Sequence, residues 1–291
     1  MPLSWPPLIF DLQSHSLHSD GDLPVAGVVE HAARSSVRLL ALSDHDTVDG
    51  VDEALEAGRT YDVDIVTATE ISAVDGGHED LHVLGYCIDH HDPTLQERLE
   101  GARADRELRA DRMGERLREL GFEIDPEPLD ARRAAGKPIG RPHLAAAVLK
   151  HPDNAARLEQ EGHDNVSSFI PAYLIPGAPA YLARTRPTVG EAIEWIHDAG
   201  GVAVWAHPFW DLTEASEVVA AIDAFEGLDG VEVFYPTHTG EQTRLLADVC
   251  AERGLLATGS SDFHGPDHRL FATFRAFELH GRSPHLGPIA A

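Results

Sequence analysis

Seven short apolar runs, rich in Leu and β-branched residues, constrain the fold of this 291-residue chain more than any other feature. Each has the length and composition of a buried strand, and they lie at 8–12, 38–43, 63–70, 81–86, 201–207, 230–235 and 254–261. Most follow a segment with apolar residues three and four positions apart, as in a helix packed on a core. Alternating strands and helices predict an α/β fold with a mainly parallel sheet, here a distorted (β/α)7 barrel.

The pattern changes between residues 93 and 186. A long charged helix is predicted at 94–120, and shorter helical pieces broken by Pro and Gly follow it. We therefore predict a barrel domain made of residues 1–92 and 187–291, with 93–186 inserted as a helical subdomain that caps the substrate.

Composition excludes some classes of partner. The formal net charge of -26 argues against binding of a long nucleic acid, which needs many surface Lys and Arg residues. A small anionic substrate is still compatible, because bound divalent cations would reverse the local charge. No apolar stretch is long enough to span a membrane and no signal peptide is evident, so a cytoplasmic location is expected. Cys87 and Cys250 lie in apolar contexts and are predicted to be buried thiols. Nothing in the sequence fixes the oligomeric state.

Many of the 18 histidines, together with acidic residues, lie at the ends of the predicted strands, where a barrel places its active site. Residues two apart on a strand face the same side, so Gln13 with His15, and Asp262 with His264, each direct two side chains into one cavity. His31, His90, His91, His151, His163, His197 and His285 lack this placement and are predicted to be hydrogen-bonded core or surface residues. The candidate metal ligands are Gln13, His15, Asp20, His45, Glu70, His82, His207, Asp262 and His264.

The motifs that contain these residues occur in the order D-L-Q-S-H-S with S-D-G, S-D-H-D, T-E-I-S, H-V-L-G-Y, A-H-P and G-S-S-D-F-H-G. In this order they resemble those of the PHP (polymerase and histidinol phosphatase) superfamily over nearly the whole chain. With the G-R-P-H-L-A motif in the insertion, the chain is most similar to stand-alone enzymes of that superfamily that act on nucleotides. These include 3',5'-nucleoside bisphosphate phosphatases and a 5'-3' oligoribonuclease.

The resemblance implies a cluster of two or three divalent metal ions (Mn, Zn, Fe or Mg) that polarise phosphoryl oxygens and activate water. The first ion would be held by His15, Glu70 and Asp262, the second by Glu70, His82 and His207, and the third by Asp20, His45 and His264. Gln13 stands where the family has histidine. Its amide oxygen is a poorer ligand for zinc or iron than imidazole, so we expect the first ion to be labile.

Further residues are candidates for substrate binding and catalysis. Arg141 is expected to clamp phosphate at the start of a helix, and His143 to assist the leaving oxygen. Lys137 and Arg269 are weaker candidates for a second phosphate. Asp44 is a catalytic candidate. It would orient one of two imidazoles, His15 or His45, or it would only close a turn. Asp46 is predicted to cap the next helix. Phe209, Trp210 and Tyr235 are placed to contact the substrate, whereas Trp205 is expected in the core.

The predicted activity is metal-dependent hydrolysis of a phosphate monoester on a small nucleotide, such as a 3',5'-bisphosphonucleoside or a nucleoside monophosphate. Three alternatives are left open by the sequence. They are a histidinol-phosphate-type phosphatase, a 5'-3' exonuclease of short oligonucleotides, and a nucleotide-binding protein whose catalysis is weakened by Gln13.

Overall fold

The computed structural model describes residues 9–76, 78–134, 139–184, 186–210 and 212–291. Within these residues one seven-stranded sheet has its strands in chain order, β1 to β7. The prediction of a seven-stranded α/β barrel is confirmed. The strands are β1 (Phe10–Asp11), β2 (Leu39–Leu42), β3 (Asp64–Asp75), β4 (His78–Tyr86), β5 (Val202–Trp205), β6 (Gly230–Phe234) and β7 (Leu256–Gly259).

Strand β4 is the antiparallel member of the sheet. It pairs antiparallel with both β3 and β5, while the other neighbouring pairs are parallel. β3 was predicted to end at Glu70 but continues to Asp75, because it forms a hairpin with β4 instead of leading into a helix. The pairing of Ser72 with His82 brings the first half of β4 to the carboxyl ends of the parallel strands, an end we call the mouth of the barrel.

The sheet nearly closes on itself through the segments that follow β1 and β7. Ser14 forms a parallel bridge with Phe263, and the His15 backbone N–H donates to the Phe263 carbonyl at 2.8 Å. Nearer the strands, the Leu12 N–H donates to the Gly259 carbonyl at 3.3 Å. Residues from the two ends of the sequence therefore lie side by side at the mouth.

Alternation along the strands separates two layers of core. Alternate residues such as Leu39 and Ala41, or Val66 and Ala68, form one apolar cluster without α-helix residues, which fills the barrel. The residues between them pack against the surrounding helices, as Leu40 does against α1. These helices are α1 (Val25–Arg34), α2 (Val51–Tyr61), α8 (Val189–Asp198), α9 (Ala215–Ala224) and α10 (Gly240–Arg253).

The chain divides into two compact units, Met1–Glu100 with Arg186–Ala291, and Gly101–Thr185. The second unit is helical and has its own core around Phe122, Phe169 and Leu144. The predicted boundaries at 93 and 186 and the capping role of the insertion stay predictions. Its helices are α3 (Pro93–Glu119, which begins in the first unit), α4 (Glu127–Ala134), α5 (Arg141–Lys150), α6 (Ala155–Glu161) and α7 (Val166–Tyr173).

The loop after β1 folds back tightly on His15. The Gly21 N–H donates to the Ser16 carbonyl at 3.0 Å, and a Cβ added at Gly21 would lie 2.3 Å from the His15 carbonyl oxygen. Only glycine permits this approach, which brings Asp20 back toward the His15 ring.

The two cysteines differ in exposure. Cys250 is buried in α10 as predicted, but the prediction of a buried thiol was wrong for Cys87, which is exposed. The chain leaves β4 at Cys87 with a φ of +58°, so the regular alternation of the strand has already ended there. Both thiols are free. Among the described residues, no helix combines the length and apolar character needed to cross a bilayer.

Candidate metal centre

The nine candidate ligands come together at the mouth of the barrel, and all belong to the first unit. Glu70 and His82 face inward because each has the same parity as the barrel-filling residues of its strand, Ala68 in β3 and Leu84 in β4. The other seven lie in segments that follow β1, β2, β5 and β7.

The carboxylate of Glu70 lies at the centre of this cluster and is completely buried. Its Oε1 atom lies 2.7 Å from His82 Nδ1 and 3.2 Å from His207 Nε2. Its Oε2 atom lies 3.1 Å from His15 Nε2 and 3.6 Å from His45 Nδ1. One carboxylate thus faces four imidazoles, two on each oxygen.

Three overlapping groups of side chains have donor atoms close enough to share one cation. They are His15–Glu70–Asp262, His45–Glu70–His82, and His15–Asp20–His45–His264. The first matches the set implied by the family resemblance. The second contains His45 where the resemblance has His207, although His207 Nε2 lies 3.3 Å from His82 Nδ1. The third adds His15 to the implied set.

The donor atoms fit divalent metal ions. Both ring nitrogens of His15, His45 Nδ1 and Asp262 Oδ1 are buried and have no hydrogen-bond partner. Leaving a buried polar atom unpaired costs about 1–3 kcal/mol, so their convergence is unfavourable without a ligand. Buried imidazole and carboxylate donors that lack other partners are what divalent transition metals bind.

The pKa values keep the carboxylates of the cluster and the imidazole of His45 in forms able to bind a cation. Burial opposes ionisation of Glu70, but the neighbouring imidazoles of His45 and His82 hold its pKa well below the usual range. Burial also lowers the pKa of His45 to about 4, so this imidazole is neutral near pH 7. Burial lowers the pKa of His15 as well, but Asp262 and Glu70 outweigh it and raise that pKa well above its ordinary value. A proton on His15 therefore competes with a cation and is released when metal binds.

Two candidate ligands have unusual backbones. His207 and Asp262 have φ values of +30° and +53°, a region that non-glycine residues rarely adopt. His207 lies two residues after the end of β5 and has a positive φ, so the direction of this side chain is not set by strand alternation. Such strained positions persist where surrounding contacts hold them, and here the His207 N–H donates to Glu232 Oε2 at 2.9 Å.

Gln13 contacts the cluster through its nitrogen. Its Nε2 donates to Glu70 Oε2 at 2.8 Å, and its Oε1 accepts from Ser260 Oγ at 3.2 Å. The amide nitrogen must face Glu70, since an amide oxygen there would repel the carboxylate. Gln13 as oriented is therefore a hydrogen-bond donor to the central carboxylate, and metal binding by its oxygen would need the amide to turn.

Two residues that support the cluster were not assigned to it from the sequence. The Tyr235 hydroxyl donates to Asp262 Oδ2 at 2.8 Å, and burial raises the pKa of Tyr235, so it stays protonated. Glu232 accepts from the His207 N–H and lies 2.5 Å from Ser260 Oγ. The signal for Glu232 was an acidic residue inside the apolar run G-V-E-V-F-Y.

The two other acidic residues of the S-D-H-D motif are buried and brace loops. Asp44 accepts from the Ser16 N–H and Ser16 Oγ, both at 2.7 Å, and from Ser19 Oγ at 2.6 Å. These contacts agree with the expectation that Asp44 closes a turn, while its catalytic role stays a prediction. The prediction that Asp46 caps a helix was wrong. Its carboxylate accepts from the N–H and hydroxyl of Ser72, and Gly50 is the N-cap of α2.

The candidate phosphate-binding residues lie mostly outside the first unit. Helix α5 begins at Arg141, as the Pro142 signal predicted, and His143 Nδ1 accepts from the Gly140 N–H at 3.0 Å. Both belong to the second unit, and their roles toward the substrate stay predictions. Arg269 is exposed in the first unit. Lys137 lies outside the described residues.

Among the aromatic side chains, Trp205 is in the core as predicted, with 1% of its surface exposed. Phe209 packs against that core and edge-on to His238, with ring centroids 5.6 Å apart. Trp210 is 48% exposed, and its ring lies 6.2 Å from His207 and 5.8 Å from Phe271. Trp210, more than Phe209, therefore offers an open aromatic face beside the cluster.

Comparison with known proteins gives consistent relatives, although no family model matches the chain. A 3',5'-nucleoside bisphosphate phosphatase of Chromobacterium violaceum is 32% identical over 261 residues, which are 88% of this chain and 87% of the relative. A 5'-3' exoribonuclease of Haemophilus influenzae is 31% identical, covering 88% of this chain and 90% of its own. A phosphoribosyl 1,2-cyclic phosphate 1,2-diphosphodiesterase of Eggerthella lenta is 29% identical, covering 96% and 98%.

Solved structures agree in fold. An amidohydrolase from Chromobacterium violaceum, crystallised with sulfate and without metal, superposes with a TM-score of 0.75 at 28% identity and covers 94% of this chain and 93% of its own. A protein from Bifidobacterium adolescentis described as a metal-dependent phosphoesterase gives a TM-score of 0.71 at 30% identity, with 91% of each chain covered.

Removing the Tyr235 hydroxyl should weaken metal binding without unfolding the protein. In Tyr235→Phe the ring keeps its packing but Asp262 loses its donor, so we expect a loss of about 10–100-fold in metal affinity. Competition with a chromogenic chelator at constant pH measures this affinity. Tyr61→Phe, in α2 and away from the cluster, is the matched control, and equal affinities for both variants would contradict the role of Tyr235.

Replacing Gln13 should change metal content in a way that depends on the new side chain. Gln13→His exchanges an amide donor for an imidazole beside Glu70, so we expect a gain of bound metal and of turnover over the parent protein. Gln13→Leu offers no ligand atom and should show no gain. Elemental analysis after dialysis gives the stoichiometry, and unchanged metal content and rate in Gln13→His would leave the idea without support.

Proposed function

Since the chain belongs to the PHP superfamily of metal-dependent phosphoesterases, we propose that it hydrolyses a phosphate monoester on a small nucleotide. One observation carries the proposal most directly. Eight imidazole, carboxylate and amide side chains surround the buried carboxylate of Glu70 at the barrel mouth, with several donor atoms left without other partners.

Two or three divalent ions would be held by this cluster, with Glu70 shared between groups. Candidate ions are Mn, Zn, Fe and Mg, and the imidazole-rich donor set favours the transition metals over Mg. When bound, such ions polarise phosphoryl oxygens and make water a nucleophile near neutral pH. In the group formed by His15, Glu70 and Asp262, Gln13 donates to Glu70 and so adds no fourth ligand, and we expect the ion held there to be labile.

Residues of this chain would position the metal ligands and the phosphate of the substrate. Tyr235 positions Asp262 by donating a hydrogen bond to its Oδ2 atom. Asp44 fixes the loop that carries Asp20 by accepting three hydrogen bonds from Ser16 and Ser19. Arg141 would bind a phosphate oxygen pair at the N-terminus of α5, where backbone N–H groups also favour anions. His143 would protonate the leaving oxygen.

A nucleotide substrate is supported by two independent facts. The relatives that cover most of the chain include one named for nucleoside bisphosphates and one for RNA. In this chain, the half-exposed Trp210 presents an aromatic face beside His207, on which a base can stack, and the buried ring of Phe271 lies 5.8 Å from it. Arg269, exposed five residues after His264, is the candidate in this unit for contact with a second phosphate.

A second candidate function is shortening of RNA oligomers from the 5' end. The similarity to a 5'-3' exoribonuclease over 90% of that protein favours it. The chemistry at phosphorus and the aromatic face would serve both activities. The net charge of -26 favours the small nucleotide, because a longer substrate brings more phosphates against an acidic surface.

A panel of substrates separates these functions. With Mn²⁺ we expect phosphate release from 3',5'-bisphosphoadenosine. Release from histidinol phosphate and ribose 5-phosphate, which lack a nucleobase, should be at least tenfold slower. Rapid shortening of 5'-labelled RNA oligomers would favour the exonuclease. Preferred release from histidinol phosphate would contradict the nucleotide assignment. Nucleotide binding without turnover under Mn, Zn, Fe or Mg would identify a binding protein whose catalysis has been lost at Gln13.

The proposed binding of phosphate by Arg141 can be tested with two variants in the same helix, α5. Arg141→Ala should lower kcat/KM by tenfold or more, because a hydrogen bond to a charged group contributes about 1.5–3 kcal/mol. Lys150→Ala, at the far end of α5, is the matched control and should leave kcat/KM unchanged. Equal values for both variants would remove Arg141 from the substrate site.

A further inference from the structure

We propose that Asp52, His90 and His91 form a separate site for a divalent transition metal ion on the surface of the barrel unit. The site shares no residue with the cluster at the mouth and goes beyond the proposed phosphoesterase function. Donor atoms of these three side chains all lie within 4.8 Å of one another.

The distances are those of ligands around one ion. His90 Nε2 and His91 Nε2 lie 3.0 and 3.5 Å from the same oxygen, Asp52 Oδ1. With metal–ligand bonds of about 2.0–2.2 Å, neighbouring ligand atoms are about 3 Å apart. In the cluster at the mouth the corresponding distances from His15 Nε2 are 3.0 Å to Asp262 and 3.1 Å to Glu70. The surface group is therefore slightly wider than the buried one but lies within the same range of distances.

Adjacent residues rarely direct both side chains to one point, and here the local backbone makes them do so. Asp89 Oδ1 accepts from the His91 N–H at 3.0 Å, and Gln96 Nε2 donates to the His90 carbonyl at 2.8 Å. The His90 and His91 rings lie side by side with centroids 4.0 Å apart. These contacts hold the loop between β4 and α3 so that both Nε2 atoms face the first turn of α2, which carries Asp52.

Exposure leaves the site accessible. The His90 side chain is 12% exposed and so has a fixed position, while those of His91 and Asp52 are 64% and 70% exposed. An ion bound here would complete its coordination with water. Two imidazoles and one carboxylate select Zn²⁺, Ni²⁺, Co²⁺ or Cu²⁺ over Mg²⁺ and Ca²⁺, which prefer oxygen ligands.

A bound ion would connect the β4–α3 loop to α2. Both segments already meet in one core cluster, which contains Val51 of α2 and Ile88 of the loop. The ion would therefore stabilise the folded state of this unit in proportion to its occupancy. Because it would link two segments that pack in the same core, we expect its role to be structural.

The chain offers a matched control pair. His197 Nε2 lies 2.8 Å from Asp229 Oδ2, as close as His90 to Asp52, but this oxygen also accepts the Ala203 N–H. No second imidazole belongs to that pair among the metal-binding groups of the described residues. A histidine–aspartate hydrogen bond alone is thus present in both places, and a second imidazole distinguishes the proposed site.

Zinc stoichiometry tests the proposal. By equilibrium dialysis against buffered Zn²⁺, we expect Asp52→Asn and His91→Gln each to bind one equivalent less than the parent protein, and His197→Gln to bind the same number. Crystals soaked in Zn²⁺ should give an anomalous peak between the three side chains. The same stoichiometry in all proteins, with no peak there, would overturn the proposal.

Phosphate release with Mn²⁺ shows whether the surface site is independent of the proposed phosphoesterase function. Asp52→Asn and His91→Gln should keep the parental kcat/KM, because neither residue belongs to the cluster at the mouth. A loss of activity together with a loss of zinc would show that the surface group serves the catalytic site and would overturn the separate structural role.

Discussion

The burial of one carboxylate among four imidazoles is the constraint around which the first unit is organised. Glu70 is fully enclosed, and each of its oxygens faces two histidines from different strands or strand ends. Such an arrangement is stable only when the charges and hydrogen-bonding atoms are matched, by protons or by cations. The close fold-back at Gly21, the strained backbones at His207 and Asp262, and the hydrogen bonds from Gln13 and Tyr235 all serve to hold donors around this point.

Much of this architecture is encoded locally and could be predicted. Each strand is a short apolar run, and the ends of parallel strands must meet at one edge, so His15, His45 and Asp262 were expected to converge. Strand alternation also accounts for the inward direction of Glu70 and His82. The direction of β4 was not encoded in this way, since a run such as L-H-V-L-G-Y reads alike in either orientation. Its hairpin with β3 depends on tertiary packing, and this hairpin brings the first half of β4, rather than its end, to the site.

What the sequence could not supply was the partner of each polar side chain. Asp46 has the position of a helix cap but bonds Ser72 across the hairpin. Gln13 occupies a ligand position but turns its nitrogen to Glu70, while its amide oxygen accepts a hydrogen bond from the Ser260 hydroxyl. Tyr235 looked like a stacking residue, yet its hydroxyl contacts Asp262. Such contacts depend on ångström-scale placement between distant segments, and periodicity carries no information about that.

The bridge between the segments after β1 and β7 has a consequence for biogenesis. Ser260 and Gln13 meet although 247 positions separate them, and the His15 and Phe263 backbones pair beside them. During synthesis, the amino-terminal half of the centre leaves the ribosome long before its carboxyl-terminal half exists. The complete set of ligands therefore exists only after the segment that follows β7 has been made, and a nascent or truncated form carries an unfinished set.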